Sequence, residues 1–87
     1  MVREKDFVAI FHSIHRVMKA EKILKKQKLE MLLIPVPRQL TSDCGLAIRY
    51  AENEREAIEA ILAQEELSPE ELYQKKDGNF EMVSTGD

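Results

Sequence analysis

Cysteine is nearly missing from this 87-residue chain. The single copy, Cys44, leaves no partner for a disulfide within the chain, and it excludes both a disulfide framework and a cysteine-rich zinc site. Glycine is scarce too. Gly45, Gly78 and Gly86 stand apart from one another, so no glycine-rich loop can cradle a phosphate. Positive charge is not in surplus: thirteen Lys and Arg face sixteen Asp and Glu, for a net charge of −3. A protein that holds nucleic acid through its phosphates carries a basic balance or a basic face, so nucleic acid is not an expected partner. Long apolar runs are also lacking. The longest near the N-terminus, Phe7 to Phe11, is too short for a signal-peptide core or a membrane span. No membrane partner is expected, and the chain should work in the reducing cytoplasm with Cys44 as a free thiol.

What is present fits a globular chain. Hydrophobic residues make up 44% and charged residues 33%, a balance unlike that of disordered segments. The length allows one domain over residues 1–87, with a core from about 7 to 83. A chain this short buries only roughly 60–65% of its unfolded surface, so the core must be small.

Hydrophobic spacing divides the chain. Phe7-Val8-Ala9-Ile10-Phe11 is apolar without alternation, the pattern of a strand covered on both faces. Ser13 is a plausible N-cap for an amphipathic helix from Ile14 to about Gln27, with Ile14, Val17, Met18, Ile23 and Leu24 on its apolar side and lysines in its last turn. Met31 to Pro37 reads as a second strand, and Pro35 and Pro37 suit a sheet edge because proline donates no ladder hydrogen bond. Leu46, Ile48 and Tyr50 alternate in a third strand. A second helix is expected from about Asn53 to Glu66. Leu67-Ser68-Pro69-Glu70-Glu71-Leu72 has the form of a helix start, with Ser68 as N-cap, Pro69 first and Glu71 closing a capping box. That short third helix should end near Lys76. Asp77-Gly78 is a turn signal, Phe80 to Val83 a last edge strand and Ser84 to Asp87 a tail.

This order predicts an α+β fold, a ferredoxin-like βαββαβ sandwich with a short extra helix before the last strand. Helices cover one face of such a sheet, yet the first two strands are apolar on both. The uncovered face needs a cover. A homodimer through the sheet, a larger partner, or the third helix and tail folding back are the alternatives.

Residues able to do chemistry are few. His12 and His15 lie three apart at a strand-to-helix junction, and with Cys44 they would need to converge on one point to hold a metal. The more ordinary reading is a loop histidine plus a surface histidine, and no metal or other cofactor is expected. The carboxylates Glu65, Glu66, Glu70 and Glu71 cluster about the expected helix start, where the dipole favours them. The segment Pro35 to Gly45 is more specific. Prolines stiffen its entry, and Gly45 permits an unusual torsion just after the thiol. Reactivity needs thiolate, which nearby cations favour. Arg38 and Arg49 are the candidate cations, and the His12 ring can approach the same end of the sheet. Strict alternation would instead put Cys44 on the inward side with Leu46 and Ile48, as a small buried hydrophobe.

Three stretches carry a resemblance. Phe11 to Lys25 (FHSIHRVMKAEKILK), Leu33-Ile34-Pro35-Val36-Pro37-Arg38, and Ser42-Asp43-Cys44-Gly45-Leu46-Ala47-Ile48-Arg49 together resemble the selenium/sulfur carrier protein-like family, small bacterial proteins that were formerly a domain of unknown function. The likeness covers roughly residues 7 to 62, and its most specific part is Pro-Val-Pro-Arg followed by Ser-Asp-Cys-Gly. It implies that Cys44 holds sulfur or selenium as a persulfide or selenopersulfide, for transfer between donor and acceptor proteins. Arg38 and Gly45 match the motif around it. With no resolving cysteine, the chain suits a relay and not a self-contained dithiol oxidoreductase, and it is not expected to turn over a substrate by itself. The competing expectation is a non-catalytic interaction or regulatory module in which Cys44 only packs.

Overall fold

A computed structural model describes residues 2–83. The expected tail over 84–87 lies outside the described residues. The elements run β1 (Phe7–Ile10), α1 (Ile14–Lys26), β2 (Leu32–Pro35), β3 (Leu46–Tyr50), a 3₁₀ turn (Glu52–Glu54), α2 (Arg55–Gln64), β4 (Glu71–Lys76) and β5 (Asn79–Met82). The strands form one antiparallel sheet in the order β2-β3-β1-β4-β5. The chain is therefore α+β, compatible with a ferredoxin-like arrangement. The extra helix expected before the last strand does not form, and the sheet has five strands where four were expected.

The difference lies in residues 69–76. The helix expected there is the strand β4, which pairs Phe7 with Gln74, Val8 with Tyr73, Ala9 with Leu72 and Ile10 with Glu71. Two forces outweigh the capping signals. The open edge of β1 leaves amides and carbonyls that need partners. Residues 71–76 also alternate, with Leu72 and Gln74 buried between less buried neighbours, which is strand periodicity. The Asp77-Gly78 turn joins β4 to β5 as a two-residue hairpin. Both residues have positive φ, 53° and 80°, as a type I′ turn requires. The segment expected as the strand beside β1 thus sits one place further out.

The remaining elements follow their sequence signals. Ser13 caps α1, its hydroxyl accepting from the Arg16 amide at 3.4 Å. The buried stripe of α1 is Val17, Ala20 and Leu24. Ile14 and Met18, expected on that stripe, remain 44% and 43% exposed. The proline-bearing β2 is an edge strand. The main core lies between the sheet and the helices, where Phe7, Phe11, Ile48, Tyr50, Leu72, Ile58 and Leu62 pack together. Phe7 stacks on Tyr50 with centroids 5.6 Å apart. Burial raises the pKa of the Tyr50 hydroxyl, and the Glu59 carboxylate that accepts its hydrogen bond adds to the effect.

The helix-free face is closed within the chain. Val8, Ile10, Ile34 and Ala47 form a second core there, with Val2, Val36, Leu40, Tyr73 and Phe80 packed against it. The cover is the N-terminal lead-in and the β2–β3 loop, not a third helix. Val8 and Ile10 are fully buried in one chain, so burying them does not require the homodimer suggested by the pattern.

Leu72 tests this assignment. Its side chain is buried beneath the helices, and Leu72→Ala is expected to cost roughly 2–5 kcal/mol by loss of packing, measured by chemical denaturation. A loss well below 1 kcal/mol, as at an exposed position, would contradict the strand register.

Candidate functional site

The Cys44 thiol stands at one end of the sheet, where the chain leaving β1 meets the chain entering β3. Phe11 and His12 follow β1, and residues 42–45 precede β3. Two side-chain hydrogen bonds to Phe11 tie the two segments together, and a third braces the second segment internally. The Ser42 hydroxyl donates to the Phe11 carbonyl at 2.8 Å. The same oxygen of Ser42 accepts from the Cys44 amide at 3.2 Å. The Cys44 thiol also donates to the Phe11 carbonyl, at 3.2 Å. Sγ lies 3.5 Å from the Ser42 hydroxyl and 3.5 Å from the Leu46 carbonyl oxygen.

Cys44 is half-buried. Alternation along β3 turns Cys44 to the helix side, where it packs against the main core with Leu46. Gly45 has φ of +76°, and nothing lies within 4 Å of where its Cβ would be. Glycine is therefore suited to this position by its torsion and not by crowding.

His12 reaches the same loop from the other side. Its Nε2 lies 2.9 Å from Glu71 Oε2. Its Nδ1 lies 3.4 Å from the Asp43 amide nitrogen. An amide must donate, so Nδ1 accepts and the proton of the neutral ring sits on Nε2, pointing at Glu71; this tautomer is inferred from the partners. Tyr73 donates to the other oxygen of Glu71 at 2.7 Å. The hydrogen bond to Glu71 raises the His12 pKa, assisted by the charges of Asp43, Glu71 and Glu70. The Tyr73 hydroxyl, and then His12, hold Glu71 below its ordinary value. A chain of four groups, Tyr73–Glu71–His12–Asp43 amide, thus runs from the middle of β4 to the residue before the thiol.

The two arginines lie elsewhere. Arg49 donates to Asp6 at 3.0 Å, and both are held on the helix-free face, since Arg49 is paired with Val8 across the ladder. Arg38 lines a cavity over that same face. No hydrogen bond or ion pair among the described residues joins either arginine to Cys44. The groups that do meet the sulfur are a hydroxyl and backbone carbonyls. Ser42 stood in the Ser-Asp-Cys-Gly string, but its role is set by contact with Phe11, 31 residues away, a pairing that spacing alone does not reveal. Glu71 and Tyr73 were hidden by the helix reading of their segment. His15 is exposed on α1. Among the described residues, no three His, Cys, Asp or Glu side chains are grouped to hold a metal.

Residues 6–74 match the family described as "Putative Se/S carrier protein-like". No curated protein and no solved structure matches the chain.

Two outcomes are expected from this geometry. Gly45→Ala must adopt a left-handed torsion with open space around the new methyl, so it should destabilise by about 1–2 kcal/mol without disturbing the core; unchanged stability would mean that the torsion relaxes. The His12–Glu71 pair should give a pH-dependent stability. The part from His12, whose folded pKa is raised, is fully present below pH 6.5 and lost as pH rises through the raised value. The part from Glu71, whose folded pKa is lowered, is present above pH 4.5 and lost as pH falls through the lowered value. The pair should contribute most between those limits. Melting curves of the parent chain and His12→Gln should diverge there and draw together as pH rises through the raised His12 value.

Proposed function

The chain belongs to the selenium/sulfur carrier protein-like family, and from that membership we propose that Cys44 carries a sulfur or selenium atom between proteins. The observation that carries the reading is a lone cysteine, half-buried, at a loop mouth beside a glycine in a left-handed torsion. A donor can approach it, and the absence of a second cysteine leaves the outer atom nowhere to go within the chain.

The step needs no external oxidant. The Cys44 thiolate attacks the outer sulfur of a donor persulfide, R–S–SH. A new Cys44–S bond forms, the donor's own S–S bond breaks, and the donor leaves as the thiolate R–S⁻. Cys44 then holds –S–SH, which loses its proton and passes the outer atom to an acceptor. The selenium version differs only in the atom moved.

The resting contacts suit the thiol, whose proton goes to the Phe11 carbonyl. On deprotonation that carbonyl repels the sulfur. The Ser42 hydroxyl, 3.5 Å from Sγ, can then turn from Phe11 to donate to the anion. His12 fixes the backbone at Asp43 and so supports the loop. Gly45 supplies its torsion. We do not assign Arg38 or Arg49 to the anion, because neither contacts it. Donor and acceptor proteins would dock beside α1, where Ile14 and Met18 expose apolar side chains one turn apart just after His12. The reducing cytoplasm fits a carrier whose thiol must stay free.

One observation favours the second reading, a partner-binding module without transfer chemistry. Cys44 packs against the core, its thiol donating to the Phe11 carbonyl with the Leu46 carbonyl oxygen also 3.5 Å away, as a structural cysteine would be. Incubation of the native protein with a sulfane-sulfur donor decides between them. The carrier should gain one sulfur atom by intact mass, lose it to added thiol, and gain none as Cys44→Ser. A thiol that reacts only after denaturation would leave the second reading.

A further inference from the structure

Among the described residues, the Pro35-Val36-Pro37-Arg38 segment makes no hydrogen bond to the Cys44 sulfur. It forms one wall of a cavity of about 320 Å³ on the opposite side of the sheet. Val2, Val36 and Phe80 give the cavity apolar walls, and Arg38 and Lys75 stand at it as two cations. Among the described residues no acidic side chain lines it, although the chain as a whole is acidic. Lys75 is held in place: its ammonium donates to the Val2 carbonyl at 3.0 Å and lies 5.9 Å from the centre of the Phe80 ring. Arg38 is exposed and makes no hydrogen bond or ion pair among the described residues. The nearest buried acid on this face, Asp6, is already neutralised by Arg49 at 3.0 Å.

We propose that this cavity binds a small organic anion, its charged head on Arg38 and Lys75 and its apolar body against Val2, Val36 and Phe80. The size lies at the lower end of the roughly 300–1,000 Å³ of small-molecule sites, which combine apolar walls with a few placed polar groups. A guanidinium with no partner among the described residues can take a carboxylate or phosphate bidentately. The proposal is independent of sulfur chemistry. Yet the site and the thiol share one loop: the Val36 amide donates to the Gly45 carbonyl at 3.0 Å, so the cavity wall is pinned to the residue after Cys44.

The test uses 2-naphthoate as probe and its neutral isostere 2-naphthamide as control, titrated into the whole chain with backbone amide NMR as readout. Naphthoate should shift the amides of Val2, Val36, Arg38 and Phe80, and naphthamide should bind roughly tenfold or more weakly, as expected for loss of a charge-assisted hydrogen bond. Arg38→Gln, which removes no hydrogen bond among the described residues, should weaken naphthoate by a similar factor and leave naphthamide unchanged. Lys75→Gln should weaken it as well. Cys44→Ser should bind naphthoate as the parent chain does, which separates this result from that of the carrier reading. Equal binding of the two probes, shifts centred outside the cavity, undiminished binding by Arg38→Gln, or no binding at all would each overturn the proposal.

Discussion

The central strand β1 must be covered on both faces, and the rest of the structure depends on that constraint. Phe7, Ala9 and Phe11 point to the helices, while Val8 and Ile10 point away from them. Each large side chain among them contributes roughly 1.5–3 kcal/mol when fully buried. In a chain this short, exposing either set would remove a large share of the stability. The two helices cover one side. Nothing helical is left for the other, so the lead-in around Val2 and the long loop after β2 fold onto it. The same strand also needs a hydrogen-bonding partner on each edge. It takes β3 on one side and recruits residues 71–76 on the other.

That recruitment explains where the sequence was legible and where it was not. The strand 7–11, the capped helix from Ile14, the proline-bearing edge strand and the alternating strand to Tyr50 were all readable, because each is set by a local pattern that tertiary packing reinforces. Ser68-Pro69 and Glu71 offered an equally good local pattern for a helix. It failed because the ladder with β1 satisfies backbone groups along four residue pairs, which outweighs a cap. The signal that would have found the strand was present. Asp77-Gly78 sits between two alternating runs and is the dipeptide of a type I′ hairpin. Taking it as a turn after a helix discarded that meaning.

The candidate site was legible in part. Cys44, Gly45 and His12 stand in one loop cluster, as their positions at strand ends suggested. The arginines were chosen for charge and closeness in sequence, and neither criterion survives strand geometry. Arg49 lies five residues beyond Cys44, and in a strand an odd offset puts a side chain on the opposite face. Arg38 is carried across the helix-free face by the loop it belongs to. The Phe11 carbonyl and Ser42 at the thiol, and the His12–Glu71 pair at the Asp43 amide beside it, come together only once β1, β3 and β4 are placed side by side.

The β2–β3 loop therefore answers two demands at once. Its first half, Val36 to Leu40, closes the face that the helices leave open, and its second half presents the cysteine to the other side. Proline suits the first task, since a loop lying across a packed face cannot form ladder hydrogen bonds, and Pro37 has no amide to leave unpaired. Glycine suits the second, since the chain must turn back into β3 immediately after the thiol. The bond from Val36 to the Gly45 carbonyl joins the two halves at their base. A displacement of the first half would therefore reach the backbone beside Cys44 through a single hydrogen bond. The thiol and the second core are thus mechanically joined although the sheet separates them. One loop can meet the packing need of one face and hold a thiol on the other because the two tasks use different residues along it.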